Sequence, residues 1–185
     1  GGNYVGLIGC ADGATIKNVG VIDSYIKGYQ YVGGICGIYG TTTNCYNTGT
    51  VSGSGSYVGG ICGYYGTQTN CYNTGTVSGT NSVGGICGEG SNYTKITNCY
   101  NTGTVKGSSN YVGGICGHGY NSSLNTTTIT NCCNTGMVSG KHYVGGICGE
   151  YGTITNCYYL VGCGSENTRG TSATTEEFAS GKITY

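Results

Sequence analysis

The stretch Tyr57-Val58-Gly59-Gly60-Ile61-Cys62-Gly63, resumed at Asn70-Cys71-Tyr72-Asn73-Thr74-Gly75-Thr76-Val77-Ser78-Gly79, decides the fold, because the chain writes it repeatedly. Aligned on the valine, copies begin at Val32, Val58, Val83, Val112 and Val144, and a degenerate copy begins at Val5. These starts lie 27, 26, 25, 29 and 32 residues apart, the range in which one supersecondary unit stacks on the next in a solenoid. The second half keeps the same beat. It runs from Asn44, Asn70, Asn98 and Asn131, with a divergent Asn18-Val19-Gly20 before and Asn156-Cys157-Tyr158 after.

Composition selects the kind of solenoid. The 185 residues include 40 glycines and 19 tyrosines but no proline or tryptophan, and only 8% are charged. Long amphipathic helices lack the Leu, Ala, Glu and Lys they need. The apolar residues fall in short Val/Ile/Tyr/Thr runs cut by glycine, as strands do. The sequence therefore predicts an all-β fold, a disulfide-rich β-solenoid (β-helix) of about six coils with roughly 26 residues per coil. At a strand spacing of about 4.8 Å, six coils make a rod about 29 Å long. The coils begin near residues 4, 31, 57, 82, 111 and 143 within residues 1–164, and residues 165–185 form a C-terminal tail or cap. Glycine pairs such as Gly59-Gly60 are expected where the backbone bends sharply or packs closely. The recurring Asn44, Asn70, Asn98, Asn131 and Asn156 are placed to form an amide ladder from coil to coil.

Thirteen cysteines, no CxxC and two histidines read as the disulfides of an exported protein before they read as zinc ligands. Each full repeat carries two: Cys36 and Cys45, Cys62 and Cys71, Cys87 and Cys99, Cys116 and Cys132, Cys148 and Cys157. The first coil has Gly9 and Val19 at the matching places, so both cysteines are missing together. That predicts five disulfides within coils, each contributing about 2–4 kcal/mol; the competing pattern pairs equivalent cysteines of adjacent coils. Cys10, Cys133 and Cys163 are left over. Cys133 takes the place of Tyr46, Tyr72, Tyr100 and Tyr158, and Cys163 aligns with Val51 and Val77. Cys10 and Cys163 lie about 24 Å apart along the rod, beyond the roughly 7 Å a disulfide spans. These three are candidates for bonds between molecules, head to tail.

No catalytic, metal or cofactor site stands out. The acids are scattered, apart from Glu89 and Glu150 two coils apart, and His118 and His142 accompany no catalytic motif. Cys116 lies two residues from His118, but the repeat already accounts for it as structural. Zero net charge without a basic stripe argues against nucleic acid. No apolar run approaches the roughly 20 residues of a membrane span. Sequons at Asn92, Asn121 and Asn125 fall in the two longer insertions and are candidate glycosylation sites. Tyrosines at Tyr46, Tyr72, Tyr100 and Tyr158 form a candidate ligand face for glycans, weighed against simple packing between coils.

The repeat text Tyr57–Gly63 and Asn70–Gly79 resembles the GLUG motif, a glycine-rich repeat of large bacterial cell-surface proteins, including adhesins and some immunoglobulin A peptidases; comparable text covers residues 4–164. The resemblance implies a secreted, cell-surface, non-enzymatic structural or adhesive segment. Cysteine stands here where such repeats carry an aliphatic residue. Three uses follow as expectations: a subunit of a disulfide-stabilised filament associating head to tail or laterally, a glycan-binding module, or a spacer within a larger surface enzyme such as a peptidase. The segment Thr174–Tyr185 looks like the one that follows the last repeat in such proteins and stops partway, as a fragment or processed product would. Thr48-Gly49-Thr50 and its copies resemble the threonine ranks of ice-binding solenoids, with two threonines expected on one face.

Overall fold

The computed structural model describes residues 1–91, 93–120, 126–164, 166–167 and 169–183. The chain winds into a β-solenoid of six coils, each a ring of short strands. The coil from Val58 contains Val58–Gly59, Cys62–Tyr64, Gln68–Thr69, Tyr72–Asn73 and Val77–Gly79. Strands of two or three residues cannot hold themselves; each is held by its equivalents above and below. All pairings are parallel and in register: Val58 lies between Val32 and Val83, Cys62 between Cys36 and Cys87, Tyr72 between Tyr46 and Tyr100. Among the described residues, the five sheets in ring order hold 5, 6, 6, 7 and 5 strands. The seventh strand, Thr171–Ala173, comes from the tail and pairs with Tyr158–Leu160. A short helix, Thr175–Ala179, follows it, closed by a capping box between Thr174 and Glu177.

In-register stacking turns each repeat position into a column, and the apolar columns form the core. Ile35, Ile61, Ile86, Ile115 and Ile147 pack with the repeat cysteines into one cluster, and the two valine columns from Val32 and Val51 form another. Each fully buried isoleucine or valine contributes about 1.5–3 kcal/mol over the exposed state. One intruder breaks the pattern. Gln68 lies over Thr42 and beneath Ile96, fully buried, and both polar atoms of its amide lack a partner.

The paired glycines serve close packing rather than bending. Neither Gly59 nor Gly60 has a left-handed backbone; a Cβ on Gly60 would strike the Gly85 carbonyl of the next coil and sit 2.6 Å from the Asn73 side chain. The left-handed corners go instead to asparagine and tyrosine. Asn18, Asn44, Asn70, Asn98, Asn131 and Asn156 hold φ between 51° and 57°, a region asparagine tolerates better than other non-glycine residues. Their amides form the expected outer ladder, from Asn44 Nδ2 donating to Asn18 Oδ1 at 3.0 Å to Asn156 Nδ2 donating to Asn131 Oδ1 at 2.7 Å.

A second ladder lies inside. Asn47, Asn73, Asn101 and Asn134 are fully buried. Each of the first three donates to the Oδ1 of the next at 2.8 Å, and Asn47, Asn73 and Asn101 each also donate to the carbonyl two residues on at 2.8 Å. The threonine rank differs from expectation. One strand ends at Asn47 and the next begins at Thr50, so Gly49 is a corner and Thr48 and Thr50 do not share one flat face.

Candidate functional site

The cysteines come first, because they are the most chemically loaded side chains in the repeat. The thirteen cysteines are unbonded in this structure. The side chains that meet are not the expected pairs within coils, Cys36 and Cys45, Cys62 and Cys71, Cys87 and Cys99, Cys116 and Cys132, and Cys148 and Cys157, but equivalent cysteines of adjacent coils, such as Cys36 with Cys62 and Cys99 with Cys132, the arrangement of the competing pattern. Stacking is the reason. Cys36, Cys62, Cys87, Cys116 and Cys148 lie over one another in one column. In the other, the amides of Cys71, Cys99 and Cys132 each donate to the sulfur of the next coil at 3.4 Å. Each thiol also donates to a nearby carbonyl, as Cys71 does to Thr69 O at 3.2 Å. They behave as small apolar residues with one weak donor.

The first coil supports this reading. Register places Ile8, not Gly9, over Cys36, and Cys10 over Ile38; Val19 precedes the Gly20 paired with Tyr46. Aliphatic side chains thus replace both cysteines. Burial lifts the Cys99 thiol well above its ordinary value, while the hydrogen bond from Cys99 holds its stacked neighbour Cys71 down at about 7. Cys116 is fully buried, and its thiol donates to the His118 backbone carbonyl at 3.4 Å rather than to the imidazole. The Cys116 and His118 pair is not a nucleophile and base.

Of the three leftover cysteines, Cys10 is exposed, while Cys133 and Cys163 are 5% and 1% exposed. Cys133 occupies the tyrosine row between Tyr100 and Tyr158, as its alignment predicts, and burial pushes its thiol up to about 12. Cys163 does not take the place of Val51 and Val77: its carbonyl accepts from the Val138 amide at 2.7 Å, as those of Thr76, Thr104 and Met137 accept from Val51, Val77 and Val105, which puts it one position before the valine column. Only Cys10 is open to a neighbouring molecule as the chain stands, so the structure does not present Cys133 and Cys163 for bonds between rods.

In the candidate ligand face, Tyr46, Tyr72 and Tyr100 stack with centroids 4.9 Å apart and planes within 4°, and Tyr158 follows one coil past Cys133. The faces of Tyr46 and Tyr72 meet one another, so a ligand approaching this row meets ring edges. A parallel row, Tyr4, Tyr31 and Tyr57, stacks at 5.0 Å and resumes with Tyr111 and Tyr143. Its gap is Ser82, whose hydroxyl donates to Glu89 Oε2 at 3.0 Å.

Beside that gap the acids noted in the sequence meet a histidine: Glu89, His118 and Glu150 are register partners on successive coils. His118 Nδ1 lies 3.4 Å from Glu89 Oε2 without hydrogen-bond geometry, and its ring packs 4.6 Å from Tyr111. Among the described residues no group of three or more His, Cys, Asp or Glu is arranged to hold a metal ion, and no helix is long and apolar enough to cross a membrane. The candidate glycosylation sites Asn92, Asn121 and Asn125 lie outside the described residues.

Five-sided parallel coils packed by columns of like side chains define a β-solenoid repeat protein. The chain carries the GLUG motif: that family matches residues 79–106, and the same text recurs in each full coil. A crystal structure of a candidate immunoglobulin A1 protease from Bacteroides ovatus superposes with a TM-score of 0.73 at 26% identity, covering 91% of this chain. This chain spans 62% of that one. No curated protein sequence matches.

Proposed function

We propose that this chain is a non-catalytic structural and adhesive segment of a secreted or cell-surface protein, a short rigid rod that spaces and displays other parts. The observation that carries this reading is the register. Cysteine lies over cysteine, tyrosine over tyrosine and buried asparagine over buried asparagine through successive coils, so the side chains that could do chemistry are spent on cohesion. The 62% span of the candidate protease supports the spacer use more than the filament use, as does the burial of Cys133 and Cys163. Incubating the purified chain with immunoglobulin A1 tests the non-catalytic part: the heavy chain should stay intact on a denaturing gel. Hinge cleavage abolished by substituting a residue of this chain would overturn the proposal.

A further inference from the structure

We propose that the corner groove running from Asp12 past Tyr39 and Tyr65 to Tyr93 binds a linear neutral oligosaccharide laid along the rod axis. The groove has a volume of about 390 Å³ and is lined by Asp12, Tyr39, Thr41, Tyr65, Thr67 and Tyr93 among others. These residues belong to four successive coils, so the groove is about 14 Å long by the strand spacing, enough for a short sugar chain.

Three independent features set this corner apart. The first is its rings. Tyr39 and Tyr65 meet at 57° with centroids 5.7 Å apart, not in the near-parallel stack of Tyr46, Tyr72 and Tyr100, and Tyr39 and Tyr93 are 44% and 72% exposed. Aromatic surface of Tyr39 and Tyr93 therefore faces the groove, where the C–H faces of a sugar ring can pack on it, while Tyr65, stacked on Tyr64, offers its edge.

The second is the backbone. Asp12, Tyr39, Tyr65 and Tyr93 hold φ of 43°, 62°, 56° and 69°, a left-handed conformation that bulky residues rarely adopt. In the Tyr31 column a coil-to-coil ring stack accompanies the same conformation. Here Tyr65 stacks instead on Tyr64 of its own coil, with centroids 3.8 Å and planes 17° apart, and Tyr39 meets Tyr65 only at a tilt; left-handed backbone of this kind clusters at functional sites. The third is coil length. Counted along the sequence, the links between the strands that flank this corner are residues 11–14, 39–40, 65–67, 90–94, 119–127 and 151–152, so both longer repeats gain their extra length between these strands. Solenoids place such insertions on one face, often the binding face.

Chemistry narrows the ligand. The lining has hydroxyls from Thr41 and Thr67 and the Asp12 carboxylate to accept from sugar hydroxyls, and it contains no lysine or arginine. A phosphate or a sialylated chain would find no cation and one repelling charge. This site is separate from the rod proposal: a rod that binds no sugar is still a rod.

The test uses the full chain on an array of linear neutral and sialylated glycans, followed by calorimetric titration of the best neutral hexasaccharide. Asparagine is the substitution of choice, because it removes the ring and tolerates the left-handed backbone, as Asn44 and Asn70 do here. Tyr39→Asn should weaken binding by about tenfold, the scale of losing one aromatic platform, and the exposed control Tyr25→Thr should leave it unchanged. Asp12→Asn, at an exposed position, keeps the test decisive if a tyrosine variant loses its circular dichroism spectrum, and should also weaken binding. Absence of binding to every neutral glycan, preference for sialylated glycans, or neutral-glycan binding indifferent to Tyr39→Asn and Asp12→Asn would each overturn the assignment.

Discussion

Replacing Asn73 by alanine cuts the inner amide ladder at its middle. The side chain donates to Gly75 O and Asn101 Oδ1 and accepts from Asn47 Nδ2, each at 2.8 Å, in a fully buried row. Three hydrogen bonds at about 1 kcal/mol each are lost, and buried acceptors left without a donor add about 1–3 kcal/mol. The expected loss is about 4 kcal/mol, a large part of the stability of an ordinary domain. Asn134→Ala provides the internal comparison. Asn134 accepts from Asn101 Nδ2 at 2.8 Å and from the Gly136 amide at 3.2 Å and donates to Gly136 O at 2.9 Å; its neighbour on the next coil is Tyr159, so its third bond stays within its own turn and no amide of the row follows it. With three bonds lost in each case, its cost should be of the same size, about 4 kcal/mol. Urea unfolding followed by circular dichroism and by tyrosine fluorescence reads both, with the slope checked because repeat arrays can unfold in parts. A loss under about 1 kcal/mol for Asn73→Ala would refute the ladder as a source of stability.

Gln68→Leu should stabilise the chain by about 1–3 kcal/mol, since it removes two unpartnered buried polar atoms from a column that is otherwise isoleucine and threonine; a lower urea midpoint would contradict this. Alkylation of the native protein should label Cys10 quickly and the twelve buried cysteines only on unfolding, as mass spectrometry would show; a fully oxidised protein would restore the disulfide expectation. Stability should also fall as pH rises above about 9. The Cys133 thiol is held up at about 12 by burial, so it stays protonated in the fold while the unfolded chain ionises. This contribution is complete below the unfolded value and is lost between there and about pH 12. Unfolding midpoints across pH 7 to 10.5 should drop less steeply in Cys133→Ala.

The architecture was legible because the repeat carries its own alignment: once Val32, Val58 and Val83 are superposed, strands, register and the outer asparagine ladder follow. What escaped were decisions made between coils. Ten cysteines in matched pairs look like rings closed by sulfur, yet parallel stacking at one coil spacing sets each beside its copy, and small thiols suffice to fill that space. The inner Asn47 row stands in the same text as the outer Asn44 row, and nothing in composition says which of the two asparagines turns inward. The groove from Asp12 to Tyr93 was invisible for a different reason. Tyr39 and Tyr65 share one repeat position, but Gly90 and Gly119 hold it in the next two coils, and Asp12 and Tyr93 come from links of other lengths, so alignment by repeat shows no row there.

The backbone hydrogen bonds between coils all run along the rod. A pull on the two ends therefore loads them in series, and the rod yields by peeling one ring at a time rather than by shearing as a whole. A ring of the Val32 to Val58 spacing releases about 90 Å of extended chain when it goes, against about 4.8 Å of rod lost. A tether built this way would dissipate force in steps and rewind from whatever rings remain.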